Sequence, residues 1–115
     1  MNILRKFRAS IRLAEAIRQA DKAHAQTGER YYVMPASGES GQLIIMDRYS
    51  FRKLKHKGYI TYKARVADLE RECFYCTPYH NGRDGAMPDA IIRMRRRMYY
   101  KWLENCKRNG KVRKH

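Results

Sequence analysis

The sequence lacks most features that mark membrane, secreted or catalytic proteins. Its longest uninterrupted aliphatic run is Leu43–Met46, far below the ~20 apolar residues that cross a bilayer. Three cysteines are too few, and odd in number, for a disulfide framework, which favours a reducing compartment. The sequence also lacks phosphate-binding glycine motifs, nucleophile elbows, HExxH motifs and EF-hand loops. We therefore expect a protein that is not an enzyme and has no membrane span.

Acidic residues are also scarce. Only 11 Asp and Glu stand against 26 Lys and Arg, for a net charge of +15. Residues 91–115 carry +9 and residues 48–65 carry +7, whereas 1–47 (+2) and 66–90 (−3) nearly cancel. A concentrated positive field attracts polyanions, of which nucleic acid is the commonest inside cells. We expect the two segments to form one continuous basic side.

The first residues are basic and amphipathic, a pattern that also occurs in targeting peptides. Arg5, Lys6, Arg8 and Arg12 interrupt any apolar signal-peptide core, and Glu15 departs from the acid-poor pattern of transit peptides. We therefore expect a cytoplasmic protein without a targeting segment.

Hydrophobic periodicity predicts an α+β fold. Because residues 42–47 are apolar on both faces of the strand, we expect helices to cover the sheet on either side. The predicted organisation is a single compact domain at 1–110, followed by a basic disordered tail at 111–115. The domain begins with a long N-terminal helix at 3–26 and a β-hairpin at 30–35 and 42–47. Two short helices follow at 49–57 and 62–74, and then a basic C-terminal helix runs from Pro88 to about Arg108, where Gly110 ends it.

The first and last helices each have an apolar stripe that is expected to pack in the core. In the first helix the stripe is Ile3, Leu4, Phe7, Ile11, Ala14, Ile17, Ala20 and Ala23. The alternative is a helix that lies on an acidic membrane surface. In the last helix the stripe is Ile91, Met94, Met98 and Trp102, flanked by Tyr99, Leu103 and Cys106.

The last helix also carries the strongest binding pattern. Four arginines fall within five positions, and like charges that close repel one another unless counterions or a partner neutralise them. A guanidinium group suits bidentate contact with phosphate or guanine. The alternative is a solubilising face without a partner. The candidate nucleic-acid contacts are Arg93, Arg95, Arg96, Arg97, Tyr100 and Lys101.

The two predicted short helices, 49–57 and 62–74, match the coarse outline of a helix-turn-helix, with Gly58 in the turn. On that interpretation the start of the recognition helix, where base edges are contacted, is formed by Thr61, Tyr62, Lys63 and Arg65. The alternative is ordinary helix packing, with Tyr62 in a buried stripe beside Leu69. The candidate nucleic-acid contacts of this segment are Lys53, Lys55, Lys57, Lys63 and Arg65.

The cysteines allow a metal site. Cys73 and Cys76 form a C-x-x-C pair, and His80 and Cys106 would complete four ligands for a tetrahedral zinc ion. The alternatives are inert buried thiols and thiol redox chemistry. We assign no cofactor, and structural zinc stays open.

Two resemblances involve the same region. The stretches 30–35, 46–48 and 72–78 resemble small basic proteins of bacterial mobile elements or phage, over residues 14–80. That group has no assigned activity, so the resemblance implies origin alone. The run 73–76 with His80 and Asn81 also resembles the zinc knuckle and His-Asn start of small homing-type nucleases, but a second C-x-x-C pair and a further metal-binding histidine are missing.

The sequence thus predicts a non-catalytic protein that binds DNA or RNA mainly through phosphates. The rival is an interaction protein whose basic face docks on an acidic protein or anionic lipid, with or without zinc. The sequence indicates no oligomeric state.

Overall fold

A three-stranded antiparallel sheet between two helical layers forms the molecule, which confirms the predicted α+β class. The computed structural model describes residues 3–36, 41–79 and 84–113, with 107–113 as backbone only. Within these ranges no helix has the length and apolar character needed to cross a membrane. The elements are α1 (Ile3–Thr27), β1 (Tyr31–Pro35), β2 (Leu43–Asp47), α2 (Arg48–His56), α3 (Val66–Glu72), β3 (Tyr75–Cys76) and α4 (Asp89–Arg113).

The sheet has the order β2-β1-β3, and alternation along β1 builds a core on each face. Val33 points into a cluster formed with α1 and α4, while its neighbour Tyr32 points into a second cluster formed with α2 and α3. The predicted hairpin is confirmed, with Val33 opposite Ile45. The short strand β3, which the sequence did not predict, pairs Val33 with Tyr75.

Helix α1 buries only part of the predicted stripe, because Ala20 is buried and Ile17 packs against the core but the N-terminal half of the stripe is exposed. Its buried residues are Ala9, Leu13, Ala16 and Ala20, whereas Ile3 is 88% exposed. A 25-residue helix is about 37 Å long, but a five-residue strand spans only about 17 Å. The sheet therefore cannot cover the whole helix. The large side chains expected in the core but exposed here are Ile3, Leu4, Phe7 and Ile11.

Helix α2 follows β2 directly and has a well-defined end. The Asp47 carboxylate accepts a hydrogen bond from the backbone N–H of Ser50 (2.7 Å) and caps its start. At its end, Gly58 has φ +84° and donates its N–H to the Lys55 carbonyl (3.1 Å). The Tyr59 N–H reaches back to the Leu54 carbonyl (2.9 Å), which completes a Schellman motif.

Helix α3 is shorter than predicted, and the prediction of a helix at 62–74 is wrong at both ends. The Asp68 carboxylate accepts the backbone N–H of Arg65 (2.8 Å), which fixes Arg65 as the residue before the helix. At the other end Cys73 is extended and leads into β3. Residues 61–65 thus form a turn and an extended approach instead of a helix.

Helix α4 is rotated and longer than predicted. Tyr99 is fully buried and packs edge-on against Phe74 (5.2 Å between ring centroids), whereas the predicted core residues Met94 and Met98 are exposed. The backbone remains helical through Gly110 to Arg113, so the predicted end near Arg108 is wrong, while the disordered tail stays a prediction. A glycine inside a helix costs only about 1 kcal/mol relative to alanine, which does not by itself end one.

Candidate functional site

The arginines of α4 turn toward the N-terminal half of α1. Arg93, Arg96, Arg97 and Tyr100 follow one another at i, i+3, i+4 and i+7 and form one side of the helix, which we call the arginine face. Lys6 of α1 lies with Nζ 5.8 Å from the centroid of the Tyr100 ring. The arginine face therefore borders α1 and looks outward from the α1–α4 layer.

Arg96 also lines an open groove between the two helices. The groove has a volume of about 400 Å³ and an apolar floor that includes Leu13 and Ile17. The carboxylate in its lining, Asp21, is already engaged, because Oη of Tyr75 donates to its Oδ1 (2.6 Å). The full lining is Ser10, Leu13, Ala14, Ile17, Asp21, Tyr75, Ile92 and Arg96.

The positive charge of the arginine face is not neutralised by the described part of the chain. Arg93, Arg96 and Arg97 are exposed, and none forms an ion pair or hydrogen bond with a described residue. The same holds for Lys101, the next cation along the helix. These groups are free to contact an anionic partner.

Arg95 differs from its neighbours because it serves the fold. It is half-buried, and its Nη1 donates to the carbonyl oxygens of Arg71 (2.8 Å) and Cys73 (2.5 Å) at the C-terminal end of α3. A guanidinium there compensates the partial negative charge of that helix end. Arg95 was a sequence candidate for binding, but its charge is already in use.

The second basic segment presents most of its predicted residues to solvent. Lys53, Lys57, Lys63 and Arg65 are exposed, whereas Lys55 is half-buried and its Nζ donates to the Ala64 carbonyl (2.6 Å). The predicted helix-turn-helix is wrong, because residues 61–65 precede α3 and supply no recognition helix.

The two basic segments do not form the continuous side that the charge distribution predicts. Helix α4 packs in the cluster on one face of the sheet, and α2 packs in the cluster on the other face. Alternation of side chains in the sheet places these clusters back to back. The described residues therefore form two separate cationic surfaces.

Sequence reasoning missed the exposed tyrosines of the second segment. Tyr49, Tyr59 and Tyr62 are 71%, 78% and 79% exposed. Assigning Tyr62 to a buried helical stripe was wrong, and Tyr49 and Tyr59 were not assigned a role. The available signal was the alternation of aromatic and basic residues along 48–65, which is typical of surfaces that stack on bases.

The predicted metal ligands are only partly brought together. Cys73 and Cys76 are buried next to one another, but no group of three or more His, Cys, Asp or Glu residues in the described ranges is arranged to hold a metal ion. Cys106 therefore does not join the pair, and His80 lies outside the described residues. The described ligands are thus not assembled into one site, and zinc binding stays a prediction.

The cysteine pair instead contacts a buried arginine. Nη2 of Arg30 donates to Sγ of Cys76 (3.1 Å), and Sγ of Cys73 donates to the Glu70 carbonyl (3.4 Å). The hydrogen bond from Cys73, followed by that from Arg30, lowers the pKa of the Cys76 thiol. The same hydrogen bond and burial raise the pKa of Cys73. Arg30 thus favours a thiolate at Cys76, although the pair has no contact with a helix N-terminus.

Comparison with known proteins adds no assignment, so the similarity to mobile-element or phage proteins stays a prediction. No protein-family model, curated protein or solved structure matches the chain.

Proposed function

We propose that this protein binds nucleic acid without catalysis, through phosphate contacts made first by the arginine face of α4. The observation that carries the proposal is that the guanidinium groups of Arg93, Arg96 and Arg97 are exposed and pair with no residue in the described ranges. Under this proposal the protein acts in the cytoplasm and originates from a bacterial mobile element or phage.

The residue type supports nucleic acid as the partner. Adjacent cations on one helix face repel one another by a few tenths of a kcal/mol per pair, and a phosphate backbone removes that cost when it binds. A guanidinium fork also matches two phosphate oxygens, which a lysine ammonium group does not. Lys101 and the exposed cations of residues 48–65 add further phosphate contacts.

Salt dependence tests this proposal. If about six phosphates are contacted, affinity for a DNA duplex falls about a thousandfold between about 50 and 200 mM salt. The triple variant R93Q/R96Q/R97Q should bind less tightly, and the slope of log K against log salt should shrink by about 2.7 because about three contacts are lost. Fluorescence anisotropy of a labelled duplex measures both.

A matched control separates the arginine face from net charge. The variant R8Q/R18Q/R71Q also removes three exposed arginines, two of which pair with Glu15 and Asp68 instead of facing a partner. It should keep most of the affinity. An equal loss in both triple variants, or an affinity that does not depend on salt, contradicts the proposal.

One observation favours the rival function, docking on an anionic lipid surface or acidic protein. Ile3, Leu4, Phe7 and Ile11 are large, exposed and flanked by basic residues of α1, a combination typical of interfacial helices. Co-sedimentation with phosphatidylserine vesicles, compared with neutral vesicles, separates the two functions. Strong vesicle binding together with salt-independent nucleic-acid binding supports the rival.

A further inference from the structure

We infer that the surface around α2 is a stacking site for single-stranded nucleic acid. The inference rests on the proposed function and adds that this second surface binds single strands. The site consists of Tyr49, Tyr59 and Tyr62, which we call the tyrosine platform, and the cations between them. It lies across the sheet from the arginine face, because α2 and α4 belong to different core clusters.

The exposure of the three rings is the first observation. Each ring is more than 70% exposed, whereas Tyr32 and Tyr99, which hold the two cores together, are almost fully buried. A single exposed aromatic residue is ordinary on a protein surface. Three such tyrosines within the 14 residues from 49 to 62 are not scattered. Aromatic side chains left open in this way offer their flat faces to a ligand.

The backbone beneath two of these rings is held in place. Tyr49 lies in the first turn of α2, which the Asp47–Ser50 hydrogen bond fixes. Tyr59 follows Gly58 in the Schellman motif, and its own N–H closes that motif on Leu54. Binding therefore does not have to order the chain at these positions, which lowers the entropic cost of binding.

Tyr62 lies at the tip of a tight turn. The Ala64 N–H donates to the Thr61 carbonyl (3.0 Å), so Tyr62 and Lys63 are the corner residues. The hydrogen bond from Nζ of Lys55 to the Ala64 carbonyl ties this turn to α2. The third ring is thus also mounted on a fixed support.

Cations alternate with the platform tyrosines along the chain. Arg52, Lys57 and Lys63 are exposed and have no ion pair or side-chain hydrogen bond with any residue in the described ranges. Nζ of Lys53 lies 6.0 Å from the Tyr49 ring centroid. Cations beside open aromatic faces are the combination that binds single strands, because one contacts phosphate while the other stacks on a base.

A single strand fits this surface better than a duplex or a bilayer. The bases of a duplex already stack on one another, so exposed tyrosine rings gain nothing from them. A bilayer would require α2 to insert an apolar face, but Phe51 and Leu54 of α2 pack in the core, and the exposed Ile and Leu residues of α1 lie across the sheet. Tyr49 and Tyr59 lie at opposite ends of a helix about 14 Å long, so the ligand must extend over several nucleotides.

The test compares a labelled oligothymidylate of about 12 nucleotides, within the 4–16 typical of one such module, with a duplex of the same length. Each single Tyr→Ala variant at positions 49, 59 and 62 should weaken single-strand binding about 5- to 150-fold. Duplex affinity should change by less than about twofold, since phosphate contacts remain. The matched variant Y49F/Y59F/Y62F keeps the rings and should bind the strand as the wild type does.

The outcomes separate this inference from the proposed function. If Y49A/Y59A/Y62A binds the single strand as the wild type does while R93Q/R96Q/R97Q loses duplex affinity, the platform is refuted and the proposed function stands. If the wild type binds neither strand form at low salt, both fail. A third outcome also refutes a single-strand site: the protein binds polyglutamate or phosphatidylserine vesicles as tightly as the single strand, and this binding is lost when the three tyrosines are replaced. Circular dichroism and thermal unfolding confirm that each variant is folded.

Discussion

At the scale of single residues, Arg30 contacts several separate segments of the chain. No pattern in the sequence around it predicts this role. Its side chain is 3% exposed, and the guanidinium carbon lies 4.0 Å from the Tyr79 ring centroid. Nε donates to the Thr77 carbonyl (3.0 Å), and Nη2 donates to the Gly85 carbonyl (3.0 Å) and to Cys76. A buried cation with this many acceptors fastens β1 to the segment that follows β3.

This contact predicts that stability depends on pH. The hydrogen bonds from Cys73 and Arg30 lower the pKa of Cys76 in the folded state below the ordinary thiol value of about 8.5. Between the two values the unfolded chain binds more protons, so the free energy of unfolding rises with pH. The contribution is complete near the ordinary pKa and is lost as pH falls through the lowered one. Above the ordinary pKa stability falls again, because burial and the bond to Cys76 raise the pKa of Cys73.

Urea unfolding across this pH range, under reducing conditions, measures the effect. The R30M variant should lose about 3 kcal/mol above neutral pH, since it removes the partner of a buried charge. It should also show a weaker pH dependence, as should C76S, which has no thiol at that position. A wild-type stability that is flat or declining over the window would show that Cys76 remains protonated in the folded protein.

At the scale of elements, the end of α2 depends on Gly58. Its φ of +84° lies in the left-handed region, and a Cβ there would meet nothing within 4 Å. The cost of G58A is therefore conformational, about 1–2 kcal/mol, and not steric. G58N should cost less, because asparagine tolerates this region. Urea unfolding measures the free energy of unfolding of the two variants. A G58A variant as stable as the wild type would rule out the Schellman motif at the end of α2.

The sequence predicts most elements but not which face of each helix is buried. The apolar run in 42–47 predicts the second strand of the hairpin and its two covered faces, and the turn residues around the hairpin predict its bounds. Helix α1 offers two apolar stripes, and the one with small residues, such as Ala9 and Ala16, packs against the sheet. Small side chains allow close approach, and the larger stripe projects past the sheet. Which of the two stripes is buried depends on the length of the helix relative to the strands. A local sequence pattern carries no information about that ratio.

Short elements and polar contacts account for the remaining differences between the predicted and the observed structure. Strand β3 pairs only two residues with β1, so its conformation depends on β1 and not on local propensity. The start of α3 is set by one carboxylate, Asp68, although the apolar spacing extends further toward Tyr62. In α4, Arg95 turns inward because the end of α3 supplies two carbonyl acceptors. The charge of each segment predicts which residues form the candidate surfaces. That the two surfaces lie on opposite faces of the sheet follows only from the fold.

At the scale of the whole molecule, the separation of the two cationic surfaces has a measurable consequence. The described residues extend 47 × 33 × 20 Å, with the sheet between the surfaces. We predict that at low salt the protein binds a duplex on the arginine face and a non-complementary 12-nucleotide single strand on the tyrosine platform at the same time. Y49A/Y59A/Y62A should lose affinity for the single strand, and R93Q/R96Q/R97Q should lose affinity for the duplex. Isothermal titration of the single strand into the duplex complex measures this, and displacement of the duplex by the single strand contradicts two surfaces.

The junction between β2 and α2 contains no connecting residue, since the strand ends at Asp47 and the helix begins at Arg48. Asp47 thus has two simultaneous duties: it stands opposite Tyr31 in the ladder, and it caps Ser50. A slip of the hairpin by one position would turn Met46 out of its core and shift the start of α2 together with the strand. The position of the tyrosine platform therefore depends on the register of the two strands.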